Sequence, residues 1–408
     1  MFLKQRNFVY YFWLLLFILP AFFPQYLLEN FELRSLALAI FFVPVGVFVL
    51  TSFFTGWAVW RSHRVILLMI SSALAIIFIL DFFDGEIYLK GYKVLILLLI
   101  PFVVCKYSER FDSDTVCKLI WYLFLTYIVL TFSSYLAGHS REVIVGTLYK
   151  RLDITGSLTA HAVLCSLFIM FTLAWFNTAK YIAPRWFMLC MLFVALYMLF
   201  KTGNRQSLLV LFIFGFVYTL AFPKKLQSIL YASYGLMGMA GVFFMYTIFI
   251  DSNLFYRLFL LDERGFSSGR QEAIIYWISQ VENVFTGLGL GNTAEFLVNL
   301  RGELYTYENF PHNELIRFYV EGGIFGLLFI LLLLGYFFYW SYVVIKFDKN
   351  RMRVLYVTAV FSTVFISSVL DNLIFDMYKS NAYLMIILMM WSFYKRDTEE
   401  AKRGRQSD

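Results

Sequence analysis

Apolar residues arrive in this chain in long blocks separated by short polar segments. A helix that crosses a bilayer needs about 20 predominantly apolar residues. Blocks approaching that length fall at roughly 8–24, 36–59, 65–82, 93–105, 119–137, 160–177, 186–200, 207–222, 227–250, 323–345, 354–370 and 380–394. The pattern predicts an all-α polytopic membrane protein of about twelve transmembrane helices. Most connections are short, so consecutive helices are expected to pack antiparallel. Residues 251–322 alone leave room for a subdomain outside the bilayer, between spans nine and ten. The chain therefore divides into a bundle of nine spans (1–250), a large outward loop (251–322), three further spans (323–394) and a polar tail (395–408). Within the loop, Ile274, Ile275, Trp277, Ile278 and Val281 are spaced for one apolar face of a helix over Gln271–Val284. The run GLGLGN (Gly287–Asn292) ends that helix in a glycine turn.

Composition agrees with this reading. Of the 408 residues 61% are hydrophobic and 15% charged, whereas a soluble domain is about half apolar and about a quarter charged. That excludes a soluble globular enzyme and a disordered chain. The net charge of +7 is explained by topology. With both termini on the cytoplasmic side, the segments there hold 20 of the 34 Lys and Arg but 8 of the 27 acidic residues, in keeping with the positive-inside rule. The first span follows a few polar residues with no small-residue cleavage site, so it is expected to stay as a transmembrane helix. Cys105, Cys117, Cys165 and Cys190 show no CxxC spacing, and the four histidines do not cluster. Neither a disulfide framework nor a metal site is expected, and no cofactor.

The outward segments carry cations that the insertion rule does not explain. Arg205, in GNRQSLL, lies at the mouth of a span. It either snorkels to the interface or faces the bundle, where its guanidinium fork suits phosphate oxygens. Arg270, in SSGRQE, precedes the amphipathic helix, whose N-terminus favours an anion; a plain surface arginine is the equal alternative. GLGLGN resembles a phosphate loop only superficially, because no Lys-Ser/Thr follows and no strand precedes. His312, in PHNELIRFYVEGGIFG, stands before the tenth span. An ordinary imidazole titrates near ~6.5 and can take a proton from a hydroxyl at neutral pH; the plain alternative is a histidine satisfied at a helix entry. Together, a base and several arginines suit an acceptor hydroxyl displacing a diphosphate. Such a leaving group needs orientation and charge neutralisation, which arginines supply without a metal. The acidic pairs Asp81/Asp84 and Asp371/Asp376 lie at helix ends and are read as structural, although Asp371 is also placed to face the site.

These residues resemble motifs of the O-antigen ligase and polymerase superfamily of bacterial envelope glycosyltransferases. Arg205–Leu209 (RQSLL) matches its Arg-x3-Leu motif. His312, Asn313, Gly323 and Gly326 match His-(Asn/Ser/Gln)-x9-Gly-x-x-(Gly/Thr/Tyr). The stretch from SSGR through GLGLGN to PHNEL is similar to the family's large outer loop, whereas the first six spans match only in hydropathy and topology. The resemblance implies a GT-C-like fold in the bacterial inner membrane, with the site at the periplasmic face. It implies an undecaprenyl-diphosphate-linked glycan as donor and a hydroxyl of the lipid A-core oligosaccharide as acceptor, with no metal or ATP. His312 would be the base, and Arg205 and Arg270 would bind the diphosphate. Asn313 is a further candidate through the motif. Arg141, Lys150, Arg151 and Arg317 are candidates from charge and position alone.

A polymerase that uses a second lipid-linked repeat unit as acceptor has the same donor chemistry; the ligase is favoured because both short motifs are complete. A lipid-linked glycan transporter is the non-enzymatic alternative. Transporters usually show repeats and ionisable groups in mid-span, and neither is visible in this sequence.

Overall fold

The computed structural model describes residues 64–83, 112–138, 141–145, 149–153, 158–176, 183–202, 204–220, 270–292, 313–370, 390 and 393–401. The helices are α1 (Arg64–Phe83), α2 (Ser113–Leu136), α3 (Leu158–Phe176), α4 (Arg185–Thr202), α5 (Arg205–Leu220), α6 (Arg270–Ser279), α7 (Glu314–Phe347) and α8 (Arg351–Leu370). Seven of the blocks read from the sequence coincide with these helices within a few residues, the exceptions being the start of α2 and the N-terminal part of α7. The spans expected at 8–24, 36–59, 93–105 and 227–250, and most of 380–394, lie outside the described residues. Two described helices, Thr115–Leu136 and Glu314–Phe347, are long and apolar enough to cross a membrane; apolar stretches in α3, α4, α5 and α8 are shorter.

One element departs from an entirely helical reading. Strands β1 (Arg141–Val145) and β2 (Tyr149–Asp153) pair antiparallel, with Arg141 opposite Asp153 and Val145 opposite Tyr149. REVIV is rich in β-branched residues, and both strands mix apolar with charged positions, a pattern suited to a half-exposed ladder rather than a span. β2 runs beside α3 and α4.

The core is organised around α3. Every residue from His161 to Thr172 is buried, as expected of a helix that is apolar all round and surrounded by others. Its neighbours are α2, α4, α5 and α8. Phe171 meets Tyr356 of α8 edge-on at 4.3 Å and Phe124 of α2 at 5.3 Å between ring centroids. Some buried polar groups, such as Ser166, bond within their own helix, and others bond across helices. Trp121 Nε1 donates to Thr172 Oγ1 at 2.9 Å, Tyr218 Oη donates to the Leu173 carbonyl at 2.9 Å, and Tyr127 Oη lies 2.8 Å from His161 Nδ1. His161 is thereby a structural histidine within the bundle, with Cys165 Sγ 3.6 Å from its Nε2.

At one end of the bundle the C-terminus of α7 and the N-terminus of α8 are tied to the tail. Arg353 Nε lies 2.8 Å from Asp348 Oδ2, and its Nη2 lies 2.6 Å from Asp397 Oδ2. Burial pushes the Asp348 carboxyl up, against the opposing pull of the Asn350 N–H and of Arg353. Asp112 caps α2, accepting from the Thr115 hydroxyl at 2.7 Å and from its N–H at 2.9 Å. The hydroxyl bond above all holds its carboxyl below the usual range. Because the folded value is the lower one, this stabilisation is present above the ordinary carboxylate range and is lost as pH falls through the lowered value. Asp112→Ala is expected to cost ~1 kcal/mol at neutral pH. The difference from wild type should shrink toward zero in strong acid, read by thermal unfolding in detergent across a pH series.

Candidate functional site

α7 is two helices in sequence. Its 34 residues would run about 50 Å if straight, well beyond a bilayer core of about 30 Å. The break falls at Gly322 (φ −123°, ψ 15°) and Gly323 (φ 58°, ψ −149°). A positive φ with extended ψ is accessible to glycine and strained for any other residue. Residues 324–347 are by themselves long and apolar enough to cross a membrane, and Glu314–Glu321 forms a short helix leading into them.

The short helix starts at Asn313, whose backbone is extended and whose Oδ1 accepts from Leu315 N at 2.9 Å and Ile316 N at 3.2 Å. Asn313 is therefore an N-cap, and His312 is the residue immediately before it. His312 itself lies outside the described residues. Arg317, a candidate for the outward charge, is instead buried, its Nε donating to Glu321 Oε1 at 3.1 Å one turn later.

The break in α7 is where the glycine turn docks. Leu288 N donates to the Val320 carbonyl and Ile324 N to the Val284 carbonyl, both at 2.8 Å. The approach leaves no room for side chains. A Cβ at Gly287 would sit 2.6 Å from Gly323 N, one at Gly323 would strike the Phe285 carbonyl, and one at Gly326 would strike the Phe318 carbonyl. The two motif glycines thus act through backbone geometry: Gly323 opens the helix and lets the turn lie against it, and Gly326 lets the two parts of α7 approach closely.

The turn's own N–H groups are engaged within the protein. Gly291 N donates to Glu321 Oε2 at 3.0 Å and Leu290 N to Asp81 Oδ2 at 3.3 Å, both carboxylates being buried. Gly287, Leu288 and Asn292 donate to the carbonyls of Asn283, Val320 and Gly289. The loop geometry is set by Gly287, Gly289 and Gly291, all at positive φ, but its donors face protein carboxylates and carbonyls rather than a phosphate. Asp81 ends α1, and α1 packs along α7, so three separated stretches of chain meet here.

α6 packs against α7 and begins at Arg270. It is shorter than the periodicity predicts, ending at Ser279, whose hydroxyl donates back to the Tyr276 carbonyl at 2.6 Å. Asn283 Oδ1 then accepts from Phe285 N at 3.0 Å and turns the chain toward the glycines. Its apolar face is divided. Trp277 is buried, whereas Ile275 and Ile278 are exposed, as are Val284 and Phe285 beyond the helix. Val284 lies beside Ile324 of α7, whose N–H bonds its carbonyl, and both side chains are exposed.

Arg205 is the first residue of α5. The preceding Asn204 caps the helix, its Oδ1 accepting from Ser207 N at 3.0 Å while its own N–H donates to Thr202 Oγ1 at 3.3 Å. A helix N-terminus carries unpaired N–H groups and partial positive charge, so this position favours an anion. α5 packs on α3 and α8. Arg141, Lys150 and Arg151 lie on the β-hairpin. The described contacts therefore bring the helix starting at Arg270 against the helix that follows His312. They place Arg205 and the hairpin cations on elements packed elsewhere around α3.

Sequence reasoning passed over Glu314 and Glu321. The available signal was their position: two acidic residues inside a run leading into an apolar span, where an ionisable group is costly without a partner.

The described apolar helices are consistent with a helical membrane protein, and one connecting segment docks in the break of α7. Residues 190–331 match the model of a family described as O-Antigen ligase. The matched segment runs from within α4 into the second part of α7. It includes Arg205, Arg270, the glycine turn, His312 and Asn313, and about a third of the chain. No curated protein matches this sequence.

Proposed function

We propose that this protein is an O-antigen ligase of the bacterial inner membrane: a multi-pass glycosyltransferase with both termini in the cytoplasm and its site at the periplasmic face. It moves a glycan from undecaprenyl diphosphate to a hydroxyl of the lipid A-core oligosaccharide. The observation that carries this reading is the match over residues 190–331, which spans both short motifs and the loop between them.

In the proposed reaction His312 takes the proton of the acceptor hydroxyl as its oxygen attacks the anomeric carbon. The bond from that carbon to the diphosphate oxygen breaks, and the lipid diphosphate leaves with the electron pair. Arg205 and Arg270 neutralise the charge that builds on it, a role suited to guanidinium groups near low dielectric. The pairing of the tail with the α7–α8 connection through Arg353 and Asp397 supports the assignment of both segments to one side of the membrane.

Purified protein supplied with lipid-linked glycan and rough lipopolysaccharide is expected to form the joined product. Arg205→Ala and Arg270→Ala are each expected to raise the donor KM by about tenfold or more, as loss of a charged hydrogen bond does, with little change in acceptor KM. An unchanged donor KM in both would remove the diphosphate assignment. Gene deletion separates the polymerase reading: loss of a ligase leaves polymer on the carrier lipid, whereas loss of a polymerase leaves single repeats on the core.

A further inference from the structure

We infer that Glu321 is a positioning residue for the transfer reaction: its carboxylate holds the segment that begins at His312 in register with the glycine turn that follows the Arg270 helix. The inference rests on the glycosyl-transfer reading above and adds a residue that the motifs do not contain.

The geometry is specific. Glu321 is fully buried; one of its oxygens is held within its own short helix and the other crosses to the turn. Oε1 accepts from Arg317 Nε at 3.1 Å, within the short helix that Asn313 caps. Oε2 accepts from Gly291 N at 3.0 Å, in the turn. Asp81 adds a third element by accepting from the neighbouring Leu290 N. An apolar residue of the same volume would avoid the desolvation cost of a buried carboxylate. What the carboxylate adds is a directed hydrogen bond across to the turn, from a group whose other oxygen is fixed by Arg317 one turn earlier in its own helix. It also pairs with the guanidinium of the buried Arg317. His312 immediately precedes the capped helix in the sequence, so in the proposed reaction the register of that helix on the turn bears on where the base stands. A misplacement of about 1 Å at a reacting group costs on the order of 100-fold in rate.

The test uses the full-length protein in detergent, with kcat expressed per folded molecule. Glu321→Ala is expected to lower kcat about 100-fold while the donor KM stays within about threefold. Glu321→Gln keeps an acceptor oxygen for Gly291 N and should recover at least about tenfold of that loss. A purely structural role would reduce the folded yield, leave kcat per folded molecule near wild type and show no such rescue; that result overturns the inference. Hydrogen exchange supplies an arm independent of activity, and of whether the alanine variant folds. In Glu321→Gln, amides 288–292 and 314–318 are expected to exchange faster together. Faster exchange in one segment alone, or in neither, overturns the coupling. Wild-type protein that transfers glycan to neither acceptor would reject the proposed function, and the exchange result would still decide whether Glu321 couples the two segments.

Discussion

His312→Ala is expected to lower kcat for glycan transfer by about 10²–10⁴-fold, the usual contribution of a positioned general base. The donor KM should change little, because the imidazole acts on the acceptor hydroxyl and not on the diphosphate. The substitution removes one ring just before a helix whose start is already secured by the Asn313 side chain. Folding should therefore survive, and thermal unfolding of the variant should match wild type closely. The decisive measurement is single-turnover transfer from lipid-linked glycan to rough lipopolysaccharide, with enzyme in excess. Product formation at the wild-type rate would show that the base lies elsewhere. A slow rate with normal donor binding would separate this residue from Arg205 and Arg270, whose variants are expected to weaken donor binding as well.

The second large effect concerns the backbone. Gly323→Ala places a Cβ on the Phe285 carbonyl at a residue held at φ 58°. Gly326→Ala places one on the Phe318 carbonyl across the break. In both cases the obstacle is main chain, which cannot swing aside as a side-chain tip can. Strain of this kind costs about 1–3 kcal/mol, and overpacking against fixed atoms a similar amount. Each variant is therefore expected to lose ~3 kcal/mol or more, seen as a lower unfolding temperature and poor recovery of folded protein. Gly335→Ala is the control, since a Cβ there meets nothing within 4 Å. Being in an exposed helical position, it should be neutral or stabilising by ~0.5–1 kcal/mol. If all three variants behave alike, the loop does not dock at the break as described.

The helices were the part most open to sequence reading. Block length and apolarity place α3, α4, α5 and α8 within a few residues, because a bilayer demands a set length of apolar helix whatever its neighbours. The hairpin at 141–153 was not recognised. It is short, partly charged and lies between spans, where no period is long enough to register. The amphipathic helix was placed correctly at its start but drawn too long, because Ser279 and Asn283 stop it through local side-chain hydrogen bonds that apolar spacing does not report. The spans outside the described residues remain expectations from the sequence.

The candidate site was legible as residue types and illegible as a device. Arg205 and Arg270 were marked by charge against the insertion rule, and both begin helices. Arg317 was marked by the same rule, yet it pairs with Glu321 in a buried contact. Charge alone does not distinguish a cation that faces a ligand from one that faces its own fold. Gly323 and Gly326 were noted as motif positions, but their purpose depends on Phe285 and Phe318, whose backbones crowd them in space.

The amino-acid order by itself therefore pointed to a helical membrane protein, the rough boundaries of its apolar helices and a set of cations that the insertion rule does not explain. Those properties follow from local composition and from the energetic demands of a membrane, which act on each segment separately. The tertiary structure alone decided that α7 breaks at Gly322–Gly323, that the glycine turn lies in that break, and that Asp81 and Glu321 hold it there. These are contacts between segments far apart in the chain, and their stability comes from directed hydrogen bonds and close backbone approach, which linear order does not encode in any local pattern.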